Sequence, residues 1–528
     1  MKKIINYSLS IKIIFCLVIT ILASIGFDYR YLIVGIFEIL LVTILSNIIA
    51  LKNKILGNIV GYLLFLLYFV EEAVLYTAKS YVTLTMLVNL NSIEDIFSNL
   101  VNYIPLIMIA IIVVFMPFEP INIKYNNKAM IGFSLLVALT ISNTLGTQFS
   151  SYYGLKSLYN QYKQYQSLQN QISGILSSGQ DLQLYKDGID DYIAKDENLV
   201  DQPNVILIFT EGLSQEIIDS ELNLMPNLKQ FQNECITFDN YYNHTFATYA
   251  GIIGQLTSSF NSAERSQLPT LQSILHNQGY FTEFINTEPN NQDFTNYLTA
   301  FNFDELKTSN KLNGDQNSIS DKDAYELIYD EAINLNDEGK PFLLSTYTFG
   351  THAWLNSQYQ TYGDGSSNFK NKFYNADYEF GKFLEKFKNS SLYDNTIIVF
   401  TADHATYTEE EYYGAISNST REHSEFSEIP LCIYYKDCKA KIINVDGKTS
   451  LSLTPTILDF LDISDNNSFL GVSLFNTSSR NDYDNYFYSD GWYAYVKGNK
   501  IILPTEEETA QFDTYMATYN AWNEMNLN

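Results

Sequence analysis

The chain has 528 residues and a formal net charge of −27, long enough for more than one domain. Nine Lys/Arg and seven Asp/Glu precede residue 150, so that part carries +2 and the remainder −29. Such acidity argues against binding nucleic acid through bulk electrostatics, and four cysteines without a Cys-x-x-Cys argue against a disulfide framework or a thiolate zinc site.

Five apolar runs come first, at 8–27, 31–51, 55–77, 101–118 and 129–147. Crossing a bilayer takes about 20 largely apolar residues. The fourth run is short, yet Ile107-Met-Ile-Ala-Ile-Ile-Val-Val-Phe is difficult to house elsewhere. Lys2, Lys3, Lys52, Lys54, Lys124 and Lys128 lie on one side of these runs, against Arg30 and Lys79 on the other. By the positive-inside bias the amino terminus is cytoplasmic, and five spans place everything after residue 148 outside. If the first run were a cleaved signal peptide, the large domain would still be outside. Glu71 and Glu72 sit near the outer end of the third run, where hydration accounts for them better than function does.

Residues 151–200 are rich in Tyr, Gln, Leu and Ser, with helical spacing in Leu155-Lys-Ser-Leu-Tyr-Asn-Gln-Tyr and again in Leu182-Gln-Leu-Tyr. They predict short helices along the membrane surface, or else a flexible spacer. The expected division is therefore a transmembrane domain over 1–150, a juxtamembrane connector over 151–200 and an extracytoplasmic domain over 201–528.

From Pro203 strands alternate with helices. Val205-Ile-Leu-Ile-Phe is a buried strand ending at Thr210-Glu211-Gly212. Pro226 opens a helix, Ile236–Tyr242 is a strand, Leu271–Asn277 a helix, and Tyr280–Ile285 a strand. Phe342-Leu-Leu-Ser-Thr-Tyr runs into Gly350-Thr-His352. Asp377, Phe380, Phe383, Leu384 and Phe387 fall at i, i+3, i+4 spacing on an amphipathic helix. Asn395-Thr-Ile-Ile-Val-Phe-Thr-Ala is a strand ending in Asp403-His404. Ser450–Leu461 predicts a helix, Tyr486–Val496 and Lys500-Ile-Ile-Leu a hairpin about Gly498-Asn499, and the last twenty residues an amphipathic helix. Alternating strands and helices imply an α/β domain with a mostly parallel central sheet.

Ligands in such sheets gather beyond the carboxyl ends of the strands. Glu211, His352 and Asp403-His404 all stand at strand ends. Carboxylates and imidazoles together suit a divalent metal such as Mn or Zn. The candidate nucleophile is Thr248, at the start of a helix in Asn243-His-Thr-Phe-Ala-Thr-Tyr-Ala-Gly251; Thr245 is the second choice. A helix amino terminus favours a phosphoryl group, and metal coordination would activate a hydroxyl. As a bland alternative, either threonine would serve as a helix cap. His244 and His276 read as structural.

Four stretches carry a resemblance: Asn204-Val-Ile-Leu-Ile-Phe-Thr-Glu211, Thr248-Tyr-Ala-Gly251, Asp394-Asn-Thr-Ile-Ile-Val-Phe-Thr-Ala-Asp403-His404, and Leu453-Thr-Pro-Thr-Ile-Leu-Asp-Phe-Leu followed by Phe469-Leu-Gly-Val-Ser-Leu-Phe. Residues from about 203 to 475 resemble the sulfatase/alkaline-phosphatase superfamily. More narrowly, the layout is similar to the membrane-anchored lipoteichoic acid synthases and lipid A phosphoethanolamine transferases. The resemblance implies a metal ion held by Glu211, Thr248, Asp403 and His404, with Thr248 as the nucleophile. It implies attack on a membrane phospholipid donor, a phospho-threonine intermediate, and transfer of the head group to a glycan or lipid acceptor outside a bacterial inner membrane. His352, Trp354, Arg421 and His423 would then bind substrate. Thr248 is followed by Tyr-Ala-Gly-Ile rather than the Cys/Ser-x-Pro-x-Arg setting of a true sulfatase, which argues against sulfate ester hydrolysis. With few cysteines, phosphoglycerol is favoured over phosphoethanolamine. A metal-dependent phosphatase or phosphodiesterase, or an inactive polymer-binding membrane protein, is the alternative.

Overall fold

The computed structural model describes residues 2–24, 29–78, 81–84, 87, 104–121, 131–132, 149–178, 184–193, 199–260, 268–312, 318–353, 355–357, 359–408, 411–417, 419, 421, 423, 425–476, 483–489 and 492–525. They divide into two compact units, Met1–Ser167 and Leu168–Asn528.

In the first unit, α1 (Lys2–Ser24), α2 (Tyr29–Lys52) and α3 (Lys54–Ala78) follow the first three apolar runs. These three are long and apolar enough to cross a membrane. The expected fourth span is the 12-residue α4 (Ile104–Phe115), which rises about 18 Å against a hydrocarbon core of about 30 Å. The expected fifth, apart from residues 131–132, lies outside the described residues. Among the described residues, five spans are thus not seen.

The interior of this unit is partly polar. Lys12 donates to the Val113 carbonyl at 2.8 Å and to that of Val114, near the carboxyl end of α4, where carbonyls lack helical donors. Thr20 and Tyr68 share a hydrogen bond of 2.6 Å. Glu71 and Glu72 are both buried, contrary to their expected hydration. Glu71 accepts the Val82 N–H at 3.0 Å, so its carboxylate faces into the unit.

Residues 151–178 form one continuous helix, α5 (Ser151–Ser178), rather than several short ones. The boundary between the units falls inside it. Leu184–Lys186 is not helical: Lys186 makes an antiparallel bridge with Asn467, which ties the segment to the second unit.

The second unit is built on eight strands: β1 (Asn204–Thr210), β2 (Ile236–Asp239), β3 (Phe281–Ile285), β4 (Glu305–Lys307), β5 (Phe342–Thr348), β6 (Thr396–Ala402), β7 (Leu431–Tyr434) and β8 (Lys441–Asn444). Their order is β4-β3-β5-β1-β6-β7-β2-β8, parallel except for β7. β1, β5 and β6 are buried along their whole length, as expected for central strands covered on both faces. Helices α6 (Pro226–Gln232), α7 (Thr248–Thr257), α8 (Leu271–Asn277), α9 (Asp321–Glu338), α10 (Asn368–Lys388) and α11 (Leu453–Phe460) accompany the sheet.

The apolar stripe of α10 packs as its spacing requires: Phe380 lies 5.1 Å from Phe231 and 5.0 Å from Phe400 by ring centroids. Asp377, on the same stripe, is not an apolar filler. Its carboxylate accepts the N–H groups of Asn227 (3.0 Å) and Leu228 (2.7 Å), capping α6 from a distant part of the chain.

At the carboxyl end, the expected single strand 486–496 is two. β9 (Tyr486–Ser489) and β10 (Trp492–Lys497) pair antiparallel, and β11 (Lys500–Ile502) completes a three-stranded sheet. The closing helix α12 (Glu506–Met525) buries Phe512, Tyr519 and Trp522. Cys432 and Cys438, six residues apart and close enough in sequence to pair, are both free.

Candidate active site

β5, β1 and β6 are consecutive neighbours in the sheet, with Thr210 in register with Thr348 on one side and Ala402 on the other. The next residue along β1 is Glu211, and the next along β6 is Asp403. Two carboxylates therefore leave adjacent parallel strands at the same level, with His404 immediately behind.

All three side chains are fully buried. His404 Nε2 lies 3.3 Å from Glu211 Oε1 and 3.6 Å from Asp403 Oδ2. These three atoms have no hydrogen-bond partner, although every other polar atom of the three side chains has one. Asp403 Oδ1 accepts the N–H groups of Gly212 (2.8 Å) and His404 (2.7 Å). His404 Nδ1 donates to the Ala405 carbonyl at 2.7 Å, which leaves Nε2 as the ring atom turned toward the carboxylates. Glu211 is held at its backbone: its N–H donates to the Thr348 carbonyl (3.1 Å), and its carbonyl accepts from Thr351 Oγ1 (2.5 Å).

Burying two carboxylates and an imidazole without other partners shifts all three titrations. Burial drives Asp403 up, and the Glu211 charge adds to it, so its carboxyl lies well above the usual range. Burial opposes ionisation of Glu211 too, but His404 outweighs it and holds that carboxyl down at about 2. For His404, burial is outweighed by Asp403 and Glu211, and the imidazole is raised to about 9. Without a cation, the charge on each of these groups is balanced only by the other two. Three buried orphan atoms that face one another, two hard oxygens and one nitrogen, suit a divalent cation better. The donor set fits the expected metal.

Thr248 completes the arrangement. It is the first residue of α7, and its hydroxyl donates to Glu211 Oε2 at 2.9 Å, so Glu211 uses one oxygen for each neighbour. The amino terminus of α7 presents backbone N–H groups lacking intrahelical acceptors, a ready seat for phosphoryl oxygens. Thr248 is not spent on capping its own helix: the cap position is Ala247, without a side-chain bond. Thr245 lies before the helix and is buried, and it is Thr248 that reaches Glu211.

The helix can come this close because of its glycines. A Cβ on Gly251 would stand 2.3 Å from the Asp403 carbonyl oxygen, and one on Gly254 would stand 2.1 Å from His244 Nε2. Gln255 then donates to the Ala402 carbonyl at 2.9 Å, pinning α7 to the end of β6. Aromatic rings close around the imidazole: Phe246 at 5.1 Å and Tyr407 at 5.2 Å from the His404 ring. Gln255, Thr351 and Tyr407 escape sequence reading. Only Gln255 carries a signal, an amide inside the apolar run Gly-Ile-Ile-Gly-Gln-Leu.

The expected substrate-binding residues fare unequally. His352 stacks on Phe349 with ring centroids 4.7 Å apart and lies 6.2 Å from Tyr407, the ring that also packs beside His404. Buried Lys372 donates to the His352 carbonyl at 3.2 Å and steadies that loop. His423 packs against Trp492 at 5.2 Å. Arg421 is not on an exposed loop. Its side chain is 1% exposed, its Nη1 donates to Tyr412 Oη at 3.2 Å, and it pairs with Glu216 at 3.8 Å. Its Nη1 also reaches Ser214 Oγ at 3.5 Å, and Ser214 exchanges two hydrogen bonds with Thr406. Arg421 thus braces the two loops that follow Glu211 and His404. Trp354 lies outside the described residues. His244, bonded to Ser450 Oγ at 2.6 Å, and His276, paired with Asp304 at 3.0 Å, are held by protein partners.

The sulfatase family model matches residues 203–463. Among solved structures, a protein of the alkaline phosphatase superfamily from Vibrio parahaemolyticus has 20% identity and a TM-score of 0.52, covering 69% of this chain and 97% of that one. The lipoteichoic acid synthase LtaP from Listeria monocytogenes has 16% identity and a TM-score of 0.49, covering 64% and 96%. The C-terminal periplasmic domain of EcEptC from Escherichia coli has 13% identity and a TM-score of 0.40, covering 60% and 94%. The first supports the fold; the other two, at TM-scores below 0.5, add nothing to it.

Proposed function

We propose that this chain, whose residues 203–463 match the sulfatase family model, transfers a phospholipid head group through Thr248. The observation that carries this reading is the 2.9 Å hydrogen bond from the Thr248 hydroxyl to Glu211, inside the orphaned carboxylate–imidazole cluster. A hydroxyl placed there, at a helix amino terminus, is a nucleophile aimed at a phosphorus atom. Three apolar helices on the same chain suit a donor drawn from a membrane.

Thr248 Oγ1, its proton lost to solvent, attacks the phosphorus of the donor lipid. The Oγ–P bond forms, the bond to the glyceride oxygen breaks, and diacylglycerol leaves with a proton. Glu211 orients the attacking hydroxyl by accepting its hydrogen bond, and the first turn of α7 receives the phosphoryl oxygens. His352 stands by to supply the proton to the leaving oxygen and to take it from the acceptor hydroxyl that next attacks phospho-Thr248. A divalent ion, Mn or Zn, would be held by Glu211, Asp403, His404 and Thr248, where it would neutralise charge and lower the pKa of the hydroxyl.

In this reading the head group is phosphoglycerol, with phosphoethanolamine second, because the free cysteines of the second unit do not supply the disulfides many phosphoethanolamine transferases carry. The acceptor is a glycan or lipid at the surface of a bacterial cell, and residues 201–528 lie outside the inner membrane, anchored by up to five spans over 1–150 through the 151–200 connector. The test is to incubate the purified full chain with fluorescent phosphatidylglycerol or phosphatidylethanolamine and Mn or Zn. Labelled diacylglycerol is expected, and Thr248→Ala abolishes it. Unchanged release by that variant would remove Thr248 as nucleophile. Release of free head-group phosphate to water without transfer would move the assignment to a phosphodiesterase.

A further inference from the structure

Glu283 occupies a place meant for an apolar side chain. It lies in the middle of β3, away from the carboxyl ends where Glu211 and Asp403 emerge, and is 1% exposed. Neither of its carboxylate oxygens has a hydrogen-bond partner. Such a group costs several kcal/mol if left ionised and alone.

It does not face apolar packing. Glu283 lines an open cavity of about 460 Å³ bounded by β3, β4 and the last turns of α9. In register beside it on β4 stands Glu305, and α9 adds Glu331, Asp337 and Glu338. The cation there, Lys307, is paired with two of these carboxylates: its Nζ lies 3.0 Å from Glu305 and 3.7 Å from Glu331. Five carboxyl groups thus share one lysine, and the deepest of them is left without a partner.

We propose that this cavity binds an organic cation carrying two or more ammonium groups, one of them seated on Glu283. A bare metal ion fits less well. Among the described residues the one set of three or more His, Cys, Asp or Glu side chains with ligand atoms within 4.8 Å of one another is Glu211, Asp403 and His404, so no three carboxylates of the cavity converge on a single ion. The volume is that of a small-molecule site, within the range of about 300–1,000 Å³. Phe281 and Leu335 supply apolar wall between the carboxylates, suited to methylene spacers joining the ammonium groups.

The titration of Glu283 gives the site a signature. Burial, then the charge of Glu331, push its carboxyl up to about 8, with Glu305 and Glu338 adding to the rise and Lys307 opposing it. An ammonium ligand requires the ionised form, so at pH 7 binding expels a proton and affinity increases as pH rises from 6.5 to 8.5.

Spermidine is a suitable probe, titrated calorimetrically into the full chain in detergent at low salt. Saturable one-site binding is expected, strengthening with pH and releasing protons at pH 7. Glu283→Gln, which keeps the shape and removes the charge, weakens it at least tenfold. Should that variant misfold, Glu338→Gln at the exposed mouth still weakens binding several-fold. Absence of binding at millimolar spermidine, unchanged binding by Glu283→Gln, or displacement of spermidine by equimolar Ca²⁺ would each overturn the proposal.

Discussion

Glu211 divides its two oxygens between two tasks. One accepts from Thr248 at 2.9 Å, and the other faces His404 Nε2 at 3.3 Å. In the proposed reaction that division would let one residue orient the nucleophile while facing a cation. It also makes the metal response separable from the nucleophile. Adding Mn or Zn at a hundredfold its dissociation constant stabilises the second unit by about 2.7 kcal/mol through binding to the folded state alone. Thermal melting should therefore shift upward with metal in the wild type. It should shift little in His404→Ala, where the nitrogen ligand is gone. Thr248→Ala should retain most of the shift, since the three buried ligands remain. A melting temperature indifferent to metal in the wild type would count against the cation site. Arg421 shows the opposite case, a residue chosen for its charge that is consumed in bracing two loops. Sequence distinguishes such residues poorly, because an arginine reads alike whether it meets a phosphate or a carboxylate of its own chain.

At the scale of elements, the site depends on how closely α7 lies against the end of β6. Gly251 is the pivot, since a methyl group there would stand 2.3 Å from the Asp403 carbonyl oxygen. Gly251→Ala must push the helix away, at a cost of about 1–3 kcal/mol for overpacking. Thr248 sits one turn earlier on that helix and moves with it. A displacement of 1 Å in a reacting group costs about 10²-fold in rate. The expected outcome is a protein that still folds, measured by circular dichroism, with diacylglycerol release reduced on the order of a hundredfold. Wild-type turnover in this variant would show that the helix position is not critical. The strands β1, β5 and β6 are legible from their apolar runs, as is the stripe on α10. The connector is not: Tyr and Gln spacing does not say whether helical turns join, and α5 is a single helix.

For the molecule as a whole, charge and hydropathy both change near residue 150. Residues 150–528 carry −29, whereas the preceding part carries +2 together with the three apolar helices. In the proposed orientation, which the lysine placement favours, the amino terminus lies inside and the second unit outside. Proteinase K added to intact spheroplasts should digest the second unit and leave membrane-embedded fragments, whereas inverted vesicles should protect it. The reverse pattern would refute the orientation, and with it access to a cell-surface acceptor.

Local sequence pattern is enough for the mostly parallel α/β sheet, the apolar helices and the residue types of the site. Strand ends that carry Glu211 and Asp403-His404 are visible because an apolar run stopping at a charged group is a feature of consecutive residues. Which of those groups meet is a matter of tertiary structure. Glu211 and Asp403 are 192 residues apart, and only the neighbouring places of β1 and β6 in the sheet put them level. Tertiary structure also separates Thr248 from Thr245, because the start of α7, and not the threonine, sets the distance to Glu211. Burial accounts for the rest: Glu71, Glu72, Glu283 and Arg421 are charged in the sequence, and their seclusion arises from packing that no local pattern records.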